Sequence, residues 1–148
     1  MRTVLQRVSR ASVEVDNGCV AHTARGWLIL LGVAQDDDCA DAEWLAEKML
    51  NLRGFEDGKG KMNLSILDVS GEILIVSQFT LLADCRSGRR PSFTAAAKPL
   101  IAEELYLYFT RLVEKSGLTV KTGLFGAMMR VELINDGPVT FLLDSHAR

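Results

Sequence analysis

The residues of this chain best suited to chemistry lie at the end of its most apolar stretch, where Ser77-Gln78-Phe79-Thr80-Leu81 follows Ile73–Val76. A rigid strand that ends in two hydroxyls, an amide and an aromatic wall can line a ligand site, because scaffold strands position their end loops. The same side chains also suit ordinary strand-end polar groups satisfied by the backbone. A second cluster, Asn135-Asp136-Gly137-Pro138-Val139-Thr140, is dense in turn formers. It reads as a tight hairpin, or as backbone open to close approach, since Gly137 has no Cβ. A third, the polar loop 83–98, carries Arg86, Arg89, Arg90 and Lys98 near Phe93. Arginines so closely spaced suit phosphate contacts that position a polyanion without reading bases, although a solvated charged loop has the same composition.

Other chemistries find little support. The two histidines are His22, in an early hairpin, and His146, near the end of the sequence, and neither sits in a nucleophile context. Cys85 has Arg86 beside it, which can lower a thiol pKa, but no general base is evident and a plain surface thiol is the simpler reading. Cys19, Cys39 and Cys85 form no C-x-x-C pair, so reduced thiols in a cytosolic protein are expected rather than a disulfide framework or zinc site. No paired-carboxylate motif stands out. Gly58-Lys59-Gly60-Lys61 resembles a phosphate cradle only superficially, because it lacks P-loop spacing and a following Ser/Thr-led helix; a turn between short extended segments is expected.

The elements that would position these residues can be read from periodicity. Residues 1–35 read as strands, with Asp16-Asn17-Gly18 as a hairpin turn, Cys19–Thr23 returning, and Trp27–Val33 as a buried strand. Asp38 can cap a helix over Ala40–Leu52, in which Ala42, Leu45, Ala46, Met49 and Leu52 form an apolar stripe. Glu72–Leu82 reads as the most apolar strand. Pro99–Lys115 is a second amphipathic helix stopped by Gly117, and Leu118–Thr122, Ala127–Ile134 and Val139–Leu143 are strands. Two helices cannot cover every sheet face, so an exposed apolar face and a homodimer are expected.

Composition bounds the rest. The 148 residues suit one domain, 1–148, with ordinary globular values of 48% hydrophobic and 24% charged residues. The longest apolar runs fall far short of the roughly 20 residues that span a membrane. No basic segment followed by an apolar run opens the sequence, so secretion is not expected. A formal charge of −2 argues against broad nucleic-acid binding but leaves room for a local basic patch.

At this point the motifs resemble a known family. Ser77-Gln78-Phe79-Thr80-Leu81 and Asn135-Asp136-Gly137-Pro138-Val139-Thr140 look like the two signature motifs of the D-aminoacyl-tRNA deacylases, also called D-tyrosyl-tRNA deacylases. Arg7–Val13, Gly60–Asn63, Gly88–Phe93 and Phe125–Ala127 resemble further family elements, in the right order along the whole chain. Met128, Gly54, Leu82 and Cys85 depart from residues common in the family, all outside the two signatures.

The resemblance implies an α/β fold of mixed, largely antiparallel sheets, with a barrel-like β core and two main helices packed on one side. It also implies a cytoplasmic homodimer that hydrolyses the ester between a D-amino acid and the acceptor end of tRNA; no cofactor and no metal site are assigned, and metal dependence stays open. Ser77, Gln78, Phe79 and Thr80 would form the catalytic segment. Gly137 and Pro138, joined by a cis bond, would enter the partner subunit's site and select chirality. Arg86, Arg89 and Arg90 would meet the tRNA. Selection by backbone clash predicts rejection of L substrates and tolerance of glycyl-tRNA. Catalysis would rest on backbone N–H groups near Phe79 and Thr80 with a water chain or the terminal 2′-OH as base, or on Thr80 as nucleophile.

Overall fold

The computed structural model describes residues 1–16 and 18–147. Asn17, at the tip of the expected first hairpin, lies outside them, although Val15 pairs with Gly18 across it. Strand β1 (Arg2–Val15) is the spine of the fold. One of its edges pairs antiparallel with β3 (Gly26–Gly32) along its first half and with β2 (Gly18–Thr23) along its second. Its other edge pairs with β8 (Arg130–Asp144) from Arg2 to Glu14. Beyond β3 the pairing turns parallel, to β6 (Glu72–Ser77) and then β7 (Val120–Thr122). This gives a mixed sheet in the order β2-β1-β3-β6-β7 with β8 beside β1, curled into a nearly closed barrel. A separate short hairpin, β4 (Phe55–Glu56) and β5 (Met62–Leu64), occupies the glycine-rich stretch that the sequence marks as a turn.

Alternation in the strands builds two apolar cores. Trp27, Ile29, Leu31, Ile73 and Ile75 face the helices, while Leu28, Leu74 and Val76 face the barrel interior with Val8, Ala11, Val13 and Ala21. Helix α1 (Cys39–Asn51) and helix α2 (Pro99–Glu114) cover the first face, burying Leu45, Met49, Leu105, Phe109 and Val113. Among the described residues, no helix is long and apolar enough to cross a membrane.

Two expectations need correction. The stretch Glu72–Leu82 is not one strand: β6 ends at Ser77, and Phe79–Leu82 is a 3-10 turn. The tail does not form two strands joined by a hairpin at Asn135–Pro138. A single strand runs from Arg130 to Asp144, and both halves pair with β1 in the same antiparallel sense. The turn-forming residues are absorbed instead by a bulge. Gln6 pairs with Thr140 and Val8 with Asn135, so 136–139 stand opposite Arg7 alone.

The sequence places the α1 cap well. Asp38 Oδ1 accepts the Ala40 and Asp41 N–H groups at 2.8 and 3.2 Å, and Asp41 returns the bond to the Asp38 N–H at 3.0 Å. This reciprocal box satisfies amides that the helix cannot. Asp38→Ala should lower unfolding free energy by about 1 kcal/mol in urea titration, and Asp38→Asn should retain most of it.

Candidate active site

Strand β6 reaches the site because β3 holds it in parallel register, with Leu31 opposite Ser77. The Gln78 N–H donates to Leu31 O at 2.7 Å, extending that pairing by one residue before the chain turns. The 3-10 turn then closes through Leu81 N–H to Gln78 O at 3.2 Å and Ala83 N–H to Thr80 O at 3.1 Å. Close approach of β3 makes the turn tight: a Cβ on Gly32 would lie 2.5 Å from Leu82 Cδ2 and 2.9 Å from Gln78 O. As the first amides of the turn, the Phe79 and Thr80 N–H groups have no acceptor within it. Among the described residues neither has one elsewhere. They sit at the surface beside exposed Phe79 and Thr80 side chains. The Gln78 amide is hydrogen-bonded to Thr80 Oγ1. No histidine, carboxylate or amine hydrogen-bonds Thr80 among the described residues.

The loop after the turn packs against it. Phe93 meets Phe79 edge-on, with ring centroids 4.9 Å apart. Asp84 and Ser92 exchange backbone bonds of 2.7 and 2.9 Å, which pins the base of the arginine-bearing tip. The three arginines are not equivalent. Arg86 turns back onto Asp84, with Nε and Nη2 2.9 and 2.7 Å from its two oxygens, and this contact holds the Asp84 carboxyl well below the usual carboxylate range. Arg89 and Arg90 are exposed and have no ion-pair partner among the described residues.

A third wall comes from the segment after β7. The Gly123 N–H donates to Ile75 O at 2.9 Å, and Tyr106 Oη donates to the same carbonyl at 3.0 Å. Burial pushes the Tyr106 hydroxyl up to about 12. Its ring packs on Phe125 at 5.6 Å, so α2 fixes Phe125 beside the β6 end. Phe125-Gly126-Ala127 is the sequence signal for this wall, and Phe125 is absent from the residues first singled out for chemistry.

The Gly137-Pro138 pair stands apart. Its peptide bond is cis, and both residues are exposed. Arg2 Nη1 bonds Leu81 O at 3.3 Å, so the Thr80 turn lies at the Arg2 end of β1. The bulge lies opposite Arg7. Five residues of strand separate the two levels, roughly 17 Å, so one chain does not bring the two signature motifs together.

What holds the bulge is Arg7, which sequence reasoning did not single out. Its buried guanidinium donates from Nε to Asp136 O at 3.0 Å and from Nη1 to Gly54 O at 3.0 Å, and Glu56 and Asp136 carboxylates lie 3.6 and 3.5 Å away. The Asn135 side-chain amide donates to Arg7 O at 3.1 Å and Val139 O at 3.0 Å. Carbonyls 136 and 139 are therefore engaged, whereas those of Gly137 and Pro138 lie outside the β1–β8 register and point to no side-chain donor among the described residues. Gly54 is itself required, because a Cβ there would lie 2.4 Å from the Trp27 ring.

Among the described residues the only converging set of metal-ligand types is Asp36, Asp37 and His146. Asp37 there already accepts from the Ala34 N–H and lies 2.8 Å from His146 Nε2, which raises the imidazole pKa. Protein donors thus satisfy the buried carboxylate.

Comparison with known proteins gives a consistent picture. Residues 4–144 match the model of the family described as D-Tyr-tRNA(Tyr) deacylase. The chain is 60% identical over 145 residues to the D-aminoacyl-tRNA deacylase of Koribacter versatilis (strain Ellin345), covering 98% of this chain and 97% of that one. It is 57% identical over 145 residues to the protein of the same name from Fervidobacterium nodosum, with the same coverage. Among solved structures, one described as c-Myc DNA Unwinding Element Binding Protein superposes with a TM-score of 0.91 at 42% identity, covering 97% of this chain and 98% of that one. Another, described as a "probable eukaryotic D-amino acid tRNA deacylase", shares the fold with a TM-score of 0.86 at 18% identity, covering 96% of this chain and 97% of that one.

Removing the Arg7 fork would leave two carbonyls without their donor. Arg7→Ala should therefore cost at least about 2 kcal/mol in urea unfolding, given the strength of hydrogen bonds from charged donors. Arg7→Lys should recover only part of it, because a point ammonium cannot span both oxygens.

Proposed function

The chain belongs to the D-Tyr-tRNA(Tyr) deacylase family, and from that premise we propose that it hydrolyses the ester of D-aminoacyl-tRNA to free D-amino acid and tRNA, rejecting L-aminoacyl-tRNA. Two sets of backbone groups carry the reading: the Phe79 and Thr80 amides, which meet no acceptor among the described residues, and the Gly137 and Pro138 carbonyls, which lie outside the β1–β8 register and meet no side-chain donor there. The first set suits an oxyanion and the second an α-ammonium.

In the reaction, water adds to the ester carbonyl and charge develops on its oxygen. The Phe79 and Thr80 N–H groups donate to that oxygen without reorganising, which is where fixed donors contribute most. The bond to the ribose oxygen then breaks, and the leaving oxygen takes a proton. Thr80 orients water rather than attacking: Gln78 engages its oxygen, and a threonine nucleophile needs an adjacent base. The 2′-OH of the terminal adenosine, a group that RNA supplies, relays the proton. Ser77 and Phe79 shape the floor and wall, and Arg89 and Arg90, with Arg86 held by Asp84, meet the acceptor end.

Because the two backbone sets lie far apart in one chain, a second copy completes the site. The sheet face facing away from the helices favours this. Leu142, Val4 and Leu30 form one cross-strand row that ends at buried Val76; Leu142 is 72% exposed, and Val4 and Leu30 are half-buried. The exposed end of this row at Leu142 favours cover by a symmetric copy, which would bring the partner's bulge to the Thr80 turn. There the Gly137 backbone receives the ammonium and leaves no room for an L side chain. Glycine has no side chain to reject, so glycyl-tRNA is also cleaved.

Complementation tests the composite site. Thr80→Ala and Gly137→Ala homodimers should each lose about 100-fold in D-Tyr-tRNA hydrolysis, the scale of misplacing a reacting group. Their mixed dimer should regain activity, because one of its two sites is intact. A site built within one chain would give an inactive mixture. The parent should shorten the ester half-life of D-Tyr-tRNA and glycyl-tRNA but not of L-Tyr-tRNA. An unchanged D-Tyr-tRNA half-life would instead mark a binding module without turnover, and a trapped acyl-Thr80 would replace the 2′-OH mechanism.

A further inference from the structure

The Gly-Lys-Gly-Lys stretch remains unused by the site described so far. It forms the tip between β4 and β5, and the Asp57 side chain builds it. Asp57 Oδ1 accepts the Lys59 and Lys61 N–H groups at 2.8 and 3.0 Å, and Oδ2 accepts Asn63 Nδ2 at 2.7 Å. Backbone bonds from Asp57 N–H to Lys61 O at 2.8 Å and Gly60 N–H to Asp57 O at 3.0 Å close the loop. The left-handed conformation at Gly60, φ 74°, lets the chain reverse between the two lysines. The one carboxylate within the tip is thus consumed by local donors. Lys59 and Lys61 are exposed, and neither has an ion-pair partner among the described residues. Two free ammonium groups on a rigid turn form a pre-ordered cationic surface.

The position of this turn matters as much as its charge. Its first strand begins beside Gly54, whose carbonyl receives Arg7 Nη1, and Glu56 on that strand faces the same guanidinium. The other prong of Arg7 holds Asp136 O in the bulge. One buried side chain therefore fixes the lysine turn relative to Gly137-Pro138. If the bulge enters the partner's site, as the proposed function requires, the turn stands beside that site on the subunit that lends the bulge.

We propose that the Asp57–Asn63 turn is a second RNA-contact element, in which Lys59 and Lys61 bind backbone phosphates of the tRNA on the stem side of the ester. The inference rests on the proposed composite site. The acceptor end is then gripped from both subunits: Arg89 and Arg90 act from the chain that supplies Thr80, and the lysine turn from the chain that supplies Gly137-Pro138. The contact reads shape and charge rather than sequence, since ammonium–phosphate pairs carry no base information.

Salt dependence of tRNA binding tests this contact, because each phosphate contact releases counterions. Binding of uncharged tRNA to the full-length protein, followed by fluorescence anisotropy between 50 and 200 mM NaCl, reads the lysines whether or not an ester is cleaved. Loss of two phosphate contacts in Lys59→Ala/Lys61→Ala should make the log–log slope shallower by about 1.8, a difference of about 12-fold in the change of Kd across that range. Lys59→Arg/Lys61→Arg keeps the charge and should keep the parental slope, which separates charge from loop structure. A parental slope in the alanine variant would overturn the proposal, even where D-Tyr-tRNA hydrolysis stands. A shallow slope in the arginine variant would also overturn it, by assigning the effect to the turn's conformation. Parental protein that binds tRNA through the lysines yet cleaves no D-Tyr-tRNA would sink the hydrolase reading while leaving this contact in place.

Discussion

The guanidinium of Arg7 is the constraint on which the functional geometry depends. It is buried in a sheet, where an arginine is costly unless its donors are met. Here they are met by two carbonyls, Gly54 O and Asp136 O, with two half-exposed carboxylates at longer range. Carbonyl dipoles satisfy the fork without burying a full counter-charge, and the carboxylates balance its charge from the solvent side. A planar fork also fixes direction, so two segments distant in sequence are set against each other. The bulge in β8 and the β4–β5 hairpin become parts of one rigid unit built on β1.

At the other end of β1 the limiting feature is steric. Gly32 lets β3 run against Leu82 and Gln78, where the chain leaving β6 takes a 3-10 turn rather than a longer strand. A strand would have committed its amides to a ladder. The turn leaves the Phe79 and Thr80 amides without acceptors, while the parallel register with β3 keeps their position defined. Local frustration of hydrogen bonding and global rigidity thus occur at the same residues, as an electrostatic site requires.

How much of this was legible in the sequence follows from the range of each interaction. The Asp38 cap and both helices depend on contacts within four residues, and their boundaries were read to within a residue or two. The bulge was not legible. Asn135-Asp136-Gly137-Pro138 carries every local signal of a hairpin, and only pairing with β1 on both sides, over more than a hundred residues of separation, keeps the strand running straight. Arg7 was missed because an arginine in an alternating strand is normally assigned to the solvent face. Yet it is in phase with Thr3 and Leu5, both fully buried, and that phase was the available signal. Arg86, Arg89 and Arg90 looked alike because sequence spacing does not show that Asp84 folds back on the first of them.

The shortage of catalytic side chains then has a structural reading. The groups proposed to meet the reacting ester and its ammonium are main-chain amides and carbonyls, which every residue carries and which composition cannot reveal. Side chains act one step removed. Arg7 and Asn135 engage the carbonyls on either side of Gly137-Pro138, while Gln78 holds Thr80 and Tyr106 holds Phe125. Specificity built this way senses the shape at the α-carbon and is blind to what lies beyond it, because a backbone wall has no pocket for a particular side chain. It follows that a site of this kind suits a class of substrates defined by handedness, and that its tuning resides in the residues that hold the backbone rather than in those that line the cleft.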